Sequence, residues 1–168
     1  MSDATSITSK ADLLAIARAI EEQALEQYGE LAEAFAMSCN ADAAQAFREL
    51  ADDRSPRVAE FPPLAGAVPV MLPWGDMDPE ISDPEAVHYL MWPWHVFDLA
   101  LRHETLTRVF FETVARGLPA GESKDAAEIL AERARKMEAA MQAKRDQSEI
   151  PPDDWDDDPD PPNWEASE

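Results

Sequence analysis

At 168 residues the chain is long enough for one domain with a sizeable core plus a tail. Its formal net charge of −21 argues against nucleic acid and against anionic membrane surfaces as partners. The single cysteine, Cys39, excludes an internal disulfide framework and the paired Cys-x-x-Cys knuckles of a rubredoxin-type iron site or a zinc ribbon.

The opening MSDATSITSKADLLAIARAI has neither the basic start nor the unbroken apolar core of a signal peptide, and no run is long enough to span a membrane. With one cysteine, a reducing cytoplasm is the expected setting. Alanine, leucine and glutamate dominate, glycine is scarce and no window alternates like a strand, so the expected class is all-α. Residues 1–9 read as a flexible N-terminus that ends in a helix-capping Ser9.

From about Lys10 to Ser38 the pattern is helical. Leu14, Ala17, Glu21, Ala24, Leu25, Tyr28, Leu31 and Phe35 share one broad face, and Arg18, Glu22, Glu26, Glu30 and Glu33 occupy the other. Glu21 is the acid on the apolar side. Cys39-Asn40 breaks the run, and Asn40 can cap a second helix from Ala41 to about Arg54. Its inward positions read Ala43, Ala44, Phe47, Leu50, Ala51, Arg54 and, if the helix continues, Val58. Pro56 predicts a kink there, or a stop and a restart capped by Ser55.

Residues 62–86 are rich in proline but also carry Val68, Val70, Met71, Leu72 and Trp74, too apolar for a free linker. A packed crossover joining two parallel helices is the better reading. Pro93 then opens a third helix, whose core stretch is Trp94 to Arg116 with Phe97, Ala100, Leu101 and Phe111 on its stripe. Glu104 sits in the middle of that stripe, where a carboxylate is costly unless a cation meets it or it stays protonated. Gly117-Leu118-Pro119 ends this helix. A fourth begins at Ser123 or Lys124 and runs to about Asp146, with Ala127, Leu130, Ala134, Met137 and Met141 inward. Glu128, Glu132, Arg133, Arg135, Lys136 and Glu138 lie outward or beside the stripe. The domain thus spans 10–146, and 147–168 is an acidic tail rich in proline and tryptophan. Residues 146–168 carry ten acids and no Lys or Arg, which leaves the body with eleven negative charges in excess.

The two halves repeat. Glu21 is followed seven positions on by Tyr28, and Glu104 seven positions on by Phe111, each ahead of a further alanine-rich helix. ALRHETLTRVFFETVA and AIEEQALEQYGELA resemble the third and first helices of the rubrerythrin-like branch of the ferritin-like superfamily. FRELADD and ILAERARKMEAAM resemble its second and fourth, and the acidic Pro/Trp tail is similar to those of bacterial members. The resemblance covers roughly residues 10–144 and implies a ferritin-like four-helix bundle, two helical hairpins joined by a long crossover, that works as a homodimer. It also implies a carboxylate-bridged di-iron centre, with one glutamate from each of helices one and three and a Glu-x-x-His pair from each of helices two and four.

Carried over residue by residue, that ligand set is retained only at Glu21 and Glu104. The helix-two positions fall on Arg54 and Arg57, and the helix-four positions on Ala134 and Met137. No cofactor is therefore expected, with iron as the alternative. A guanidinium can stand in for the missing metal charge, so Arg54 and Arg57 are expected to reach inward and pair with Glu21, Glu104 or both. The competing expectation is that Pro56 turns Arg57, or both arginines, to solvent and leaves one glutamate protonated.

Other metal sites lack support. His95 and His103 lie about 12 Å apart along one helix, His103 points a quarter-turn from Glu104, and Asp53 and Glu138 would be recruited only by a register shift. Tyr28 can hydrogen-bond an inward carboxylate or simply pack. Trp155 or Trp164 in the tail can cover an apolar patch on the body or on a second subunit, or engage a protein partner, although a solvated tail is the default. The residues favour a non-catalytic binding or structural module. The alternative is a metal-binding oxidoreductase of peroxide or dioxygen chemistry with an altered site.

Overall fold

The computed structural model describes residues 9–63, 72 and 87–158. The expectations for 1–8, for 159–168 with Trp164, and for 64–71 and 73–86 of the connection lie outside them. Among the described residues all regular structure is helical: α1 (Lys10–Met37), α2 (Ala41–Ala59), α3 (Pro93–Gly117) and α4 (Glu122–Gln147). No helix is long and apolar enough to cross a membrane.

Ser9 starts α1 through a reciprocal pair. Its hydroxyl accepts the Asp12 amide at 3.1 Å, and the Asp12 carboxylate accepts the Ser9 amide at 3.1 Å, which satisfies two donors left open at a helix start. The buried face carries Leu13, Ile16 and Ile20 beside Ala17, Ala24, Tyr28, Ala32 and Phe35, whereas Leu14, Leu25 and Leu31 are only half-buried. The stripe is thus rotated slightly from the one expected. Cys39 makes the turn out of α1 at φ 60°, a left-handed conformation that costs a non-glycine residue about 1 kcal/mol.

Asn40 fixes the far end of that turn. Its side-chain oxygen accepts the Ala43 amide at 3.1 Å and caps α2, while its amide nitrogen donates to the Tyr89 and Met91 carbonyls, both at 2.9 Å. One side chain therefore ties the starts of α2 and α3 together. Asn40→Ala is expected to lose about 2–3 kcal/mol in urea unfolding, combining the lost cap with two lost hydrogen bonds. Asn40→Asp keeps the cap and should lose less.

Pro56 does not stop α2. The helix continues through it to Ala59, so the expected break and restart at Ser55 is absent. Ser55 and Pro56 lie on the exposed side, where the missing amide costs one hydrogen bond. Arg54 and Arg57, three positions apart, stay on one face and are both buried. Pro93 opens α3 at a first-turn position where its absent N–H is harmless. Before α4, Gly121 at φ 151° takes a conformation that L side chains rarely adopt.

α1 packs on α2 and α3 on α4 as two hairpins, which meet through α1 against α4 and α2 against α3. The apolar core falls into two parts. One holds Tyr28, Phe35, Phe47, Leu50, Val96, Leu99 and Met141; the other holds Leu13, Ile20, Phe61, Phe111 and Leu130, with Leu72 packed against it. Charged side chains occupy the layer between.

The described part of the tail is not simply solvated. Residues 153–156 form a turn, and Trp155 is partly buried against the first cluster.

Candidate functional site

Every helix that reaches the middle layer changes chemistry there. On α1, Glu21 lies between Ile20 of one cluster and Ala24 of the other; on α3, Glu104 lies between Ala100 and Phe111. Small buried residues sit one turn before and after each acid, Ala17 and Ala24 around Glu21, Ala100 and Thr107 around Glu104. The space they leave is entered from α2 by Arg54 and Arg57.

The four side chains form one hydrogen-bonded cluster. Arg54 donates from Nη1 to Glu21 Oε2 at 2.8 Å and from Nη2 to Glu104 Oε1. Arg57 donates from Nε to Glu21 Oε1 at 3.2 Å and from Nη2 to Glu104 Oε1 at 3.0 Å. Each arginine thus bridges both acids, and the fork of a guanidinium makes this possible where a lysine ammonium would offer one point charge. Glu21, Arg54 and Glu104 are 1–2 % exposed and Arg57 7 %.

A fifth member was not anticipated. Arg133, placed by sequence on the flank of α4, donates from Nη1 to Glu21 Oε1 at 2.8 Å and reaches Glu60 at 3.1 Å. Its guanidinium carbon lies 4.9 Å from the Phe61 ring centroid. Three guanidinium groups therefore face the carboxylates of Glu21, Glu104 and the half-exposed Glu60, and the charges balance. Tyr28 turns its ring toward the site, with the Arg54 guanidinium carbon 5.5 Å from its centroid, and it packs on Phe47.

Burial pushes the Glu21 carboxyl up, but Arg54, Arg57 and Arg133 together pull it down to about 2. Burial works against the Arg54 charge too, and Glu104 and Glu21 hold its pKa above the ordinary arginine value. A carboxyl whose folded pKa lies below its unfolded value adds stability above the unfolded value of 4.5 and loses it as pH falls toward 2. That contribution is about 3 kcal/mol. Urea unfolding between about pH 6 and pH 2.5 should fall more steeply for the wild type than for Glu21→Gln by roughly that amount; equal slopes would mean Glu21 titrates as a free carboxyl.

The remaining candidates lie elsewhere. Ala134 is buried and Met137 half-buried on α4. Asp53 pairs with Lys144 at 3.0 Å, and Glu138 binds Arg108 at 2.6 Å and Thr105 at 2.7 Å, so both are engaged outside the middle layer. His103 is fully buried with its ring edge-on to Tyr28 at 6.5 Å, while His88 and His95 flank Trp155. Among the described residues no three His, Cys, Asp or Glu side chains converge into a metal-binding group. The side chains present do not fit a di-iron centre. Two carboxylates remain of its donor set, and cationic guanidiniums rather than neutral or anionic donors bond to them.

No family model matches the chain, and searches of curated proteins and of solved structures likewise gave no match.

Proposed function

We propose that this chain is a ferritin-like bundle of the rubrerythrin type whose metal position has been taken over by arginine, and that it serves as a non-catalytic binding or structural module. One observation carries the reading: Arg54 and Arg57, at the two positions where the resemblance expects a Glu-x-x-His pair, bond to both retained glutamates. Fixed positive groups do there what two metal ions would do for the charge. They offer no open coordination position and no change of oxidation state, so the chemistry of the centre is given up and its architecture kept.

The topology belongs to the same proposal. Asn40 ties the start of α2 to the start of α3, and Phe61, just past the end of α2, packs in one cluster with Phe111 and Ala115 near the end of α3. Both features support two helices running in the same direction, which requires a connection as long as the bundle. A homodimer completes the reading, on the strength of the resemblance.

The test is to incubate the purified chain with ferrous iron and follow its oxidation by dioxygen or peroxide. The expected rate equals that of iron in buffer. A protein-dependent acceleration would replace this reading with the oxidoreductase. Sedimentation equilibrium should give the mass of two chains; a monomer at all concentrations would remove the dimer.

A further inference from the structure

Residues 149–158 come back onto the end of the bundle, and two histidines receive them. The Trp155 ring lies over His95 with centroids 3.9 Å apart, and the His88 ring meets it edge-on at 5.5 Å. Within the segment, the Trp155 amide donates to the Pro152 carbonyl at 3.2 Å and the Asp157 amide to Asp154 at 3.1 Å, so the tryptophan is presented by a turn. Tyr89 donates its hydroxyl to the Asp158 carboxylate.

Both imidazoles are also acceptors. The Leu90 amide donates to His88 Nδ1 at 3.2 Å, and the Trp92 amide donates to His95 Nδ1 at 3.1 Å. The second bond reaches back from the first turn of α3 to the amide preceding it, as a glutamate does at other helix starts. A nitrogen that accepts a hydrogen bond carries no proton, so the His95 geometry fits the neutral ring with its proton on Nε2. Protonating His95 sets N–H against N–H at the start of α3, directly beneath Trp155.

We propose that residues 149–158 are a pH-released strap, docked through Trp155 on His95 while that imidazole is neutral and freed when it takes up a proton. Around the rings lie Asp98 on α3, which holds Arg145 of α4, Asp156 on the strap, and Tyr89, stacked on His88 and bonded to Asp158. Arg145 is occupied by Asp98 at 2.8 Å and lies 5.5 Å from the Trp94 ring centroid. Asp98 and Asp156 favour an imidazolium at His95, yet burial outweighs them and holds its pKa below the ordinary value of 6.5. The docked state is therefore favoured above that value and loses its advantage as pH falls below it. Release withdraws Trp155 from the first apolar cluster.

Backbone nitrogen-15 relaxation and imidazole nitrogen-15 shifts, recorded on the full chain from about pH 7.5 to pH 5, test the strap. At the upper end, order parameters of Asp154 to Asp158 should be about 0.85 and His95 should show the Nε2–H form. At the lower end those order parameters should fall below about 0.6, with a midpoint that coincides with imidazole protonation. A strap that stays ordered throughout, or loosens only where carboxylates titrate, overturns the proposal. His95→Asn supplies a non-titrating oxygen near the Nδ1 position, at the cost of the ring that Trp155 packs on. Its strap should therefore show the same order at both ends of the range. A change in order between the two ends in that variant would show that a group other than His95 releases the strap.

Discussion

Arg54→Met should destabilise the protein by about 3–5 kcal/mol, the largest loss expected of any single substitution in the bundle. The magnitude follows from what is left behind. Arg54 is almost completely buried and donates to both Glu21 and Glu104, so its removal strands negative charge in a layer closed above and below by apolar clusters. Arg57 still touches both acids and Arg133 still holds Glu21, but neither replaces the two donors that Arg54 gave, least of all at Glu104. For a chain of this size the loss corresponds to a Tm lower by roughly 10 °C.

The converse experiment separates pairing from mere volume. Replacing Glu21, Glu104, Arg54 and Arg57 together by leucine and methionine removes the four buried charges at once and leaves Arg133 paired with Glu60; such exchanges are often neutral or stabilising by about 1–4 kcal/mol. Urea unfolding of the single and quadruple variants should therefore rank the quadruple variant well above Arg54→Met. If both lose the same amount, the cluster acts through packing and not through charge. Arg54→Lys belongs between the two, since an ammonium cannot hold two carboxylates in a forked geometry.

The second large effect is a gain. Arg54→Glu/Arg57→His/Ala134→Glu/Met137→His rebuilds the ligand set that the resemblance implies around Glu21 and Glu104. Without metal, four carboxylates then share one buried layer and repel, so the variant should unfold readily in the presence of a chelator. With Zn²⁺ or Co²⁺ in hundredfold excess over its Kd, it should regain about 2.7 kcal/mol per site and show a cobalt absorption band. A folded variant that binds neither ion would mean that the helices do not share the ferritin-like register, whatever neutralises the acids in the wild type.

Much of the fold was readable because helix faces are broad and their caps are local. Ser9 and Asn40 announced two helix starts through short side-chain acceptors, and Glu21 and Glu104 stood out because a carboxylate on an apolar stripe demands a partner. Arg54 was readable by its place in line with Phe47 and Leu50. Arg57 was harder, because Pro56 argues locally for a break, while the helix runs through it with the ring on the exposed side. Local propensity lost there to the tertiary contacts on both sides of the proline.

Arg133 was not readable. It stands beside the stripe of Ala127, Leu130 and Ala134, where a long side chain can turn to water or reach inward, and only the neighbouring Glu21 and Phe61 decide which. The tail posed the same difficulty. Its composition argues for solvent, and the seat for Trp155 exists only once the turn before α3 has brought His88 and His95 to one place.

Aerobic loading of the wild-type chain with excess ferrous iron, followed by desalting and elemental analysis, tests whether arginine rather than metal neutralises Glu21 and Glu104. No stoichiometric iron and an unchanged optical spectrum are expected. Two irons per chain, with Arg54 and Arg57 displaced from Glu21 and Glu104, would contradict that expectation.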